Sequence, residues 1–199
     1  ATKILSLMLV VMLALCSLAV AGAEGAKLEL ELLERVRAHG MRMVGPNCLG
    51  VVNTNPEISL DACFAESLPV AGDIGFVSQS GALGGGILNI LKDLNLGFAQ
   101  FVSIGNQADV NAETALEYWE NDPEVKQILL YMESIPDPVN FRRLASRISK
   151  KKPVLALKAG RSAAGASAAS SHTGSLAGGD RAADALLKQS GVIRELSLR

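Results

Sequence analysis

The sequence is poor in the residues that build several common kinds of site. Only three cysteines (Cys16, Cys48, Cys63) and two histidines (His39, His172) occur in 199 residues. This excludes a disulfide framework, and no Cys/His spacing is typical of zinc binding. Aromatic residues make up 4% of the chain, so a stacking platform for single-stranded nucleic acid is not expected. The formal net charge is −1, and no excess of charge directs the chain to nucleic acid or an anionic membrane.

Small and aliphatic residues are what the sequence has in quantity. Hydrophobic residues make up 49% of it and glycines number 19, which excludes a disordered or collagen-like chain. The length suits one full α/β domain with a fragment of another, or two small domains.

A long apolar run occupies the start of the chain. Residues 4–20 read ILSLMLVVMLALCSLAV, and Lys3 is the one charge among residues 1–23. With the small residues at 19–21, the pattern is typical of a secretory signal peptide, and the run is at the lower limit for a membrane span. The alternatives are a buried strand or helix, or a segment that is not native to the rest of the fold.

The next part of the chain predicts a helix, a strand and an irregular connection. Apolar spacing over residues 26–39 indicates an amphipathic helix with Gly40 as its C-cap. Met41–Val44 is expected to form a short strand. Residues 53–70, which contain two prolines, are the best candidate for a domain boundary.

From residue 72 onward, apolar β runs alternate with helices. The strands are expected at 74–78, 98–104, 125–132, 153–159 and from 191. This alternation predicts a doubly wound parallel sheet of the α/β class. Ligands bind such sheets beyond the carboxyl ends of the strands, where the loops at 79–81, 105–109, 133–137 and 160–178 would open.

Ser80 and Gly81 lie between a predicted strand and a predicted helix. Ser80 is a good N-cap, Gly81 lets a ligand approach the backbone, and a helix N-terminus favours anions. An ordinary capped turn is the alternative. Three consecutive glycines, 84–86, follow in the same helix, where each costs about 1 kcal/mol relative to alanine. Something is therefore expected to approach this helix closely, either another backbone segment or a phosphate.

His172 and Glu133 form the second candidate group. His172 lies in a loop of small residues, and Glu133 ends the third predicted strand. A carboxylate there could hold one imidazole N–H so that the other ring nitrogen faces a phosphoryl group. The alternatives are an inert surface histidine and an exposed acid.

A basic stretch flanks the histidine loop. Between Asp137 and Asp180 the chain has eight basic residues and no acid, which indicates either a solvated face or an attraction for phosphorylated ligands. Cys48 follows Asn47 in a Gly-Pro turn with no histidine nearby, so a structural or contact role is expected. His39 is expected only to cap a helix C-terminus.

Four motifs occur in the order found in one superfamily: GPNCLG at 45–50, VSQSG at 77–81, SIGN at 103–106 and SHTGSLAG at 171–178. In these motifs the chain resembles the NDP-forming acyl-CoA synthetases over roughly residues 22–194. It is most similar to the ADP-forming acetyl-CoA synthetases and less so to the succinyl-CoA synthetase α subunit.

The resemblance implies a fold and a division of the chain. Residues 71–199 are expected to form a flavodoxin-like succinyl-CoA ligase domain, joined by a linker at 53–70 to a remnant of a Rossmann-like CoA-binding domain at 22–52. Residues 1–21 are expected to be signal-like or not native to this fold. Since the substrates of the family are cytosolic, a cytoplasmic location is expected, with secretion or membrane anchoring as the lesser alternative.

The resemblance also implies a reaction, in which acyl-CoA, ADP and phosphate give acid, ATP and CoA. His172 matches the phosphorylated histidine and Glu133 the acid that orients it. Ser80 and Gly81 match the phosphate-binding helix start, and Asn47 and Cys48 match a loop near the thioester.

The cofactors implied are CoA and ADP or ATP with Mg²⁺, and no metal ligand is expected in this chain. The nucleotide and the metal would be bound mainly by an ATP-grasp domain or subunit, which this sequence lacks, as it lacks the glycine-rich start of the CoA-binding domain. Two alternatives remain: a ligand-sensing module of a protein acyltransferase, and a catalytically silent fragment.

Overall fold

The structure of the protein is a computed structural model, and it describes residues 23–65, 69–161 and 179–197. These residues form five helices and seven strands. In chain order they are α1 (Ala23–Ala38), β1 (Gly50–Asn53), β2 (Leu60–Cys63), β3 (Ala71–Ser78), α2 (Gly81–Asp93), β4 (Phe98–Ser103), α3 (Ala112–Trp119), β5 (Gln127–Met132), α4 (Pro138–Ile148), β6 (Val154–Lys158), α5 (Asp180–Gln189) and β7 (Ile193–Glu195).

All seven strands belong to one sheet, in the order β2-β1-β4-β3-β5-β6-β7. Five strands, β4, β3, β5, β6 and β7 in their order across the sheet, are parallel to one another. This order is the one found in flavodoxin-like folds. The predicted doubly wound parallel sheet is therefore confirmed. Its sequence signal was strong because strands in such sheets are covered on both faces and read as continuous apolar runs.

The expected strand at Met41–Val44 and the expected irregular structure throughout residues 53–70 are both wrong. Met41–Val44 forms no strand, because its backbone bonds to a loop: the Met43 N–H donates to the Asp109 carboxylate at 2.9 Å. The connection at 53–70 contains β2, which pairs antiparallel with β1, and β1 in turn pairs antiparallel with β4. β2 is an edge strand with two exposed and two half-buried residues. Its sequence therefore lacks the apolar pattern from which a strand is predicted.

The core lies on both faces of the sheet. On one face α3, α4 and α5 cover apolar residues of the central strands around the buried Trp119. On the other face α2 covers an aromatic group made of Phe76, Phe98 and Phe101. Each of these helices thus buries its apolar side against one face of the sheet, and both faces are covered, as in a layered α/β domain.

The apolar run at 4–20 and the loop that carries His172 lie outside the described residues. Among the helices that the structure does describe, none combines the length and the apolar character needed to cross a membrane.

Candidate functional site

Three of the four sequence motifs meet at the carboxyl edge of the sheet. The loop at 45–50 packs between the end of β4 and the start of α2. The Leu49 N–H donates to Ser103 Oγ at 2.9 Å, and a Cβ on Gly81 would lie 3.4 Å from that of Leu49. The motifs, far apart in sequence, therefore share one surface.

The same loop is held on its other side by the turn after β4. Asn106 N–H donates to the Pro46 carbonyl at 2.9 Å, and the Asn47 side-chain amide lies 3.4 Å from that of Asn106. Gly105 has a φ of +50°, and a Cβ there would come within 2.2 Å of the Pro46 oxygen. Only glycine fits this turn, because both the backbone conformation and the contact exclude a side chain.

Asn47 and Cys48 occupy different environments in that loop. Asn47 itself has a φ of +56°, a conformation that asparagine tolerates better than most residues. The Cys48 thiol points back toward the chain, 3.5 Å from the Val44 carbonyl, and packs against the main core. This geometry agrees with the structural role expected for Cys48 and leaves Asn47 as the more outward of the two.

The start of α2 has the features that favour an anion. Ser80 is its N-cap, with Oγ accepting from the Leu83 N–H at 3.3 Å. The first turn contains no acidic residue. The other N–H groups of a first helical turn have no intrahelical acceptor, and the helix dipole favours an anion there.

A hydrogen-bond network that the sequence analysis missed joins β3 to β5. The buried Gln79 accepts, through Oε1, from the backbone N–H groups of Glu133 and Ser134. Ser134 Oγ accepts from Gln79 Nε2 at 3.2 Å and from Gln107 Nε2 at 2.9 Å. Both glutamines lie in loops that the sequence analysis placed at this edge. That shared location is the one feature of the sequence from which their contact could have been predicted.

Glu133 sits directly after β5 and is 9% exposed. Because Gln79 binds its N–H, the backbone that carries this carboxylate is fixed at the edge of the sheet. Lys158 is paired in register with Met132, next to Glu133, at the end of β6. Burial and then the charge of Arg194 lower the pKa of Lys158, while the negative charges of Asp180 and Glu133 oppose the shift.

His172 is the fourth motif's central residue and lies outside the described residues, so its placement near Glu133 stays a prediction. Both ends of its loop are described. Arg161 follows β6 on one side, and Gly179 precedes α5 on the other. The two ends flank the carboxyl edge at which the other motifs meet.

The return of that loop into α5 is fixed by Arg194 on β7. Arg194 forms ion pairs with Asp180, and at 3.0 Å with Asp184, both on α5. Burial lowers the pKa of Arg194, but the hydrogen bonds that Arg194 donates to these two carboxylates outweigh burial and raise the pKa above the ordinary value.

The basic stretch does not act as one surface. Arg147 and Lys151 both bind Glu120 at the end of α3, and Lys152 donates to two backbone carbonyls nearby, one of them at 2.6 Å. These three residues tie the end of α3 to the last turn of α4 and to the α4–β6 connection. Three of the eight cations are thus paired with Glu120 or with backbone carbonyls inside the fold.

Two further expectations concern His39 and metal ligands. His39 Nδ1 lies 2.8 Å from the Arg35 carbonyl at the end of α1, which confirms its predicted role at a helix C-terminus. In residues 23–65, 69–161 and 179–197, no three histidine, cysteine or acidic side chains come together as a metal site.

Comparison with known proteins finds one family model and a group of related ligases. Residues 71–199 match the model of the family described as "Succinyl-CoA ligase like flavodoxin domain". The chain is 47% identical over 178 residues to an ADP-forming acetate–CoA ligase of Archaeoglobus fulgidus, covering 89% of this chain and 26% of that protein. It is 46% identical over 172 residues to the α subunit of such a ligase from Pyrococcus furiosus, covering 86% of this chain and 37% of the subunit.

A solved structure shows the same fold. The dinucleotide-forming acetyl-coenzyme A synthetase 1 of Ca. Korarchaeum cryptofilum, in complex with phosphate and ADP, matches with a TM-score of 0.83 and 37% identity. The match covers 89% of this chain and 39% of that one. The chain therefore spans between about a quarter and two fifths of the length of these relatives.

Proposed function

This chain belongs to the succinyl-CoA ligase-like flavodoxin domain family, and from that membership we propose that it is the phosphohistidine-bearing part of an NDP-forming acid–CoA ligase. The reaction of the whole enzyme converts acyl-CoA, ADP and phosphate into acid, ATP and CoA. Relatives named as ADP-forming ligases for acetate and for 4-hydroxybutyrate support this class of substrate.

The observation that carries the proposal is the convergence of the motifs at one sheet edge. The loop at 45–50 touches both the start of α2 and the turn at Gly105, and Gln79 locks Glu133 beside them. Phosphoryl transfer depends mainly on positioning and on neutralising charge. Rigid loops around a helix N-terminus supply both.

In the proposed mechanism, phosphate held at Ser80 and Gly81 attacks the acyl-CoA thioester carbon. The C–S bond breaks, CoA leaves as the thiol, and an acyl phosphate forms. Asn47 and Cys48 lie in the loop assigned to the thioester side, where Asn47 supplies a polar amide near the reacting group.

His172 then takes the phosphoryl group. A neutral imidazole nitrogen attacks phosphorus, the P–O bond to the acyl group breaks, and the acid leaves. Glu133 accepts the other imidazole N–H and so fixes the tautomer and stabilises the positive charge that develops on the ring. Transfer of the phosphoryl group from His172 to ADP completes the cycle with ATP.

We assign nucleotide and Mg²⁺ binding to an ATP-grasp domain or subunit. The described residues contain no cluster of potential metal ligands, and the part of this chain in the reaction is to supply the phosphate-binding helix start and the phosphoryl acceptor. The chain spans only part of its relatives, which supports a partner or a longer polypeptide. Residues 22–52 are proposed to be the end of a CoA-binding domain, residues 53–70 a linker and residues 71–199 the ligase domain. A cytoplasmic location follows from these substrates.

Phosphoryl labelling tests the proposal. The chain is mixed with a separately expressed ATP-grasp partner of a related ligase, ATP labelled in the γ-phosphate, and Mg²⁺. We expect an acid-labile, base-stable label that is absent in His172→Ala and unchanged in His39→Ala, the matched control. Glu133→Gln should slow labelling by roughly 10²- to 10⁴-fold, the range for loss of a group that orients a reacting histidine.

The opposite result is also definite. If the partner labels an intact relative but leaves this chain unlabelled, the phosphohistidine role is contradicted. If His172→Ala keeps the label, the phosphorylated residue is another one.

A further inference from the structure

A cleft lies between α4 and α5, beside the proposed reaction site. Its volume is about 1170 Å³, and it is lined by both helices, by residues 134–136 and by Lys158. Pockets for small organic ligands are typically about 300–1,000 Å³, so this cleft has room for one. Ser80, Gly81 and Glu133 are not among the described residues that line it.

The charge of the cleft has one sign. Among the described residues that line it, three are cationic, namely Arg142, Arg143 and Lys158, and none is acidic. The two arginines are exposed at the surface of α4, and each makes only a hydrogen bond to a neutral amide side chain in the described part of the chain. Guanidinium groups of this kind suit bidentate contacts with phosphate.

Lys158 forms part of the wall deeper in the fold. It is 8% exposed, and its ammonium group donates to the Ala159 carbonyl at 2.7 Å. A buried ammonium is costly unless it is paired, and burial together with Arg194 lowers its pKa. An anion in the cleft would offset this cost.

The remaining walls are small and apolar. Three alanines of α5 with Leu186 line one side, and Ile135, Pro136 and Val139 contribute to the other. Inorganic phosphate would leave these walls unused. A ligand that joins phosphate groups to a flat organic body would use both the cations and the apolar surface.

We propose that the cleft between α4 and α5 binds a nucleoside diphosphate group, with its phosphates on Arg142, Arg143 and Lys158 and its base against the alanines of α5. This chemistry has two sources, a free nucleoside diphosphate and the 3′-phospho-ADP portion of CoA. The site is distinct from the helix start at Ser80 and from the catalytic nucleotide site that we assign to the ATP-grasp domain. It does not depend on phosphorylation of His172.

Isothermal titration of the 199-residue chain with ADP, CoA, pyrophosphate and adenosine tests the site. ADP or CoA should bind at least about tenfold more tightly than adenosine, and binding should weaken with added salt because the contacts are ionic. Binding of ADP alone identifies free nucleotide as the source, and preferential binding of CoA identifies the cofactor. Adenosine binding as tightly as both would overturn the proposal.

The variant Arg142→Gln/Arg143→Gln should weaken ADP or CoA binding at least about tenfold, because it removes the charged hydrogen bonds to the phosphate groups. The control is Arg181→Gln/Lys188→Gln, which removes two exposed cations of α5 that do not line the cleft. Both arginines of the test variant are exposed, so the fold should persist, and circular dichroism checks this. Equal affinity in the two double variants would contradict the site.

Hydrogen exchange locates the bound ligand independently. Protection on adding ADP or CoA is expected in residues 134–146 and 180–189. Protection confined to residues 79–86 would place the ligand at the start of α2 and overturn the proposal, while leaving the proposed phosphohistidine function untouched. The variant Arg142→Gln/Arg143→Gln, with the label on His172 measured in parallel, separates the two sites further: ligand affinity should fall while labelling persists.

Discussion

At the scale of the residue, buried polar side chains hold the loops around the candidate site. Asp109 accepts hydrogen bonds from Arg37, Arg42 and the Met43 N–H, at 3.0, 2.7 and 2.9 Å. Burial would raise the pKa of Asp109, but the hydrogen bonds from Arg42, Met43 and Arg37 outweigh it and lower the pKa. One carboxylate therefore fastens α1 and the segment after it to the turn beyond β4.

Glu120 gives a prediction of pH dependence. Arg147 and then Lys151 lower its pKa to about 2 from 4.5 by hydrogen bonding, against the opposing effect of burial. Because the pKa is lower in the folded than in the unfolded state, the contribution to stability is complete above about pH 4.5 and is lost as the pH falls toward 2.

We expect Glu120→Gln to reduce the loss of stability at acidic pH. Urea unfolding at pH 7 and pH 3 should show a smaller loss of unfolding free energy in the variant than in the parent chain. Glu117→Gln, an exposed position on the same helix, serves as control and should keep the parental pH dependence. An identical loss in Glu120→Gln and the parent would refute the assignment.

At the scale of the element, α2 shows why glycines occur inside a helix. A Cβ on Gly84 would lie 3.0 Å from the ring of Phe101 and 3.3 Å from Ser78 Cβ. Phe101 is fully buried and packs against Phe76, so it has little room to move. At Gly86 nothing lies within 4 Å. The close approach inferred from the glycine run occurs at Gly84, but side chains of the sheet make it, and the expected backbone segment or phosphate does not.

These two glycines form a matched pair. Gly86→Ala should raise the unfolding free energy by about 0.5–1 kcal/mol, because alanine loses less backbone entropy in a helix. Gly84→Ala should lower the unfolding free energy by about 1–3 kcal/mol through overpacking. The entropic gain of alanine in a helix offsets part of this loss. Chemical denaturation measures both, and equal effects at the two positions would show that packing on Phe101 is not the reason for Gly84.

At the scale of the whole molecule, the site exists because a parallel sheet gathers loops at one edge. The strand order places β4, β3, β5 and β6 side by side, so their carboxyl ends bring the turn at 103–106, the start of α2, Glu133 and Lys158 together. The antiparallel strand β1 extends the sheet beyond β4 and delivers the loop at 45–50 to the same edge.

Gly105 tests this assembly. A Cβ there would clash with the Pro46 and Asn47 oxygens at 2.2 and 2.3 Å, so Gly105→Ala must displace the loop at 45–50. The control is Gly40→Ala, which has a similar φ of +68° with nothing within 4 Å and so carries the backbone strain alone, about 1–2 kcal/mol. We expect Gly105→Ala to unfold at lower denaturant concentration than the control and to lose labelling of His172. Equal stability of the two variants would contradict the contact.

The sequence by itself determined the α/β class, the parallel sheet from β4 to β7, and local features such as the Ser80 N-cap and the His39 contact. These depend on periodicity and on residues a few positions apart, which a linear pattern records. The same patterns brought Glu133 and Ser80 to one edge, because strands of a parallel sheet end on the same side.

Only the tertiary structure decided the rest. The edge strand β2, the irregular path of Met41–Val44, the binding of Glu133 by Gln79 and the capture of Arg147 by Glu120 all depend on partners distant in sequence. A polar side chain carries no local sign of which backbone group or charge it will meet. The packed core fixes the positions of the loops and so determines which groups lie within hydrogen-bonding distance. A buried polar side chain then bonds to one of these groups.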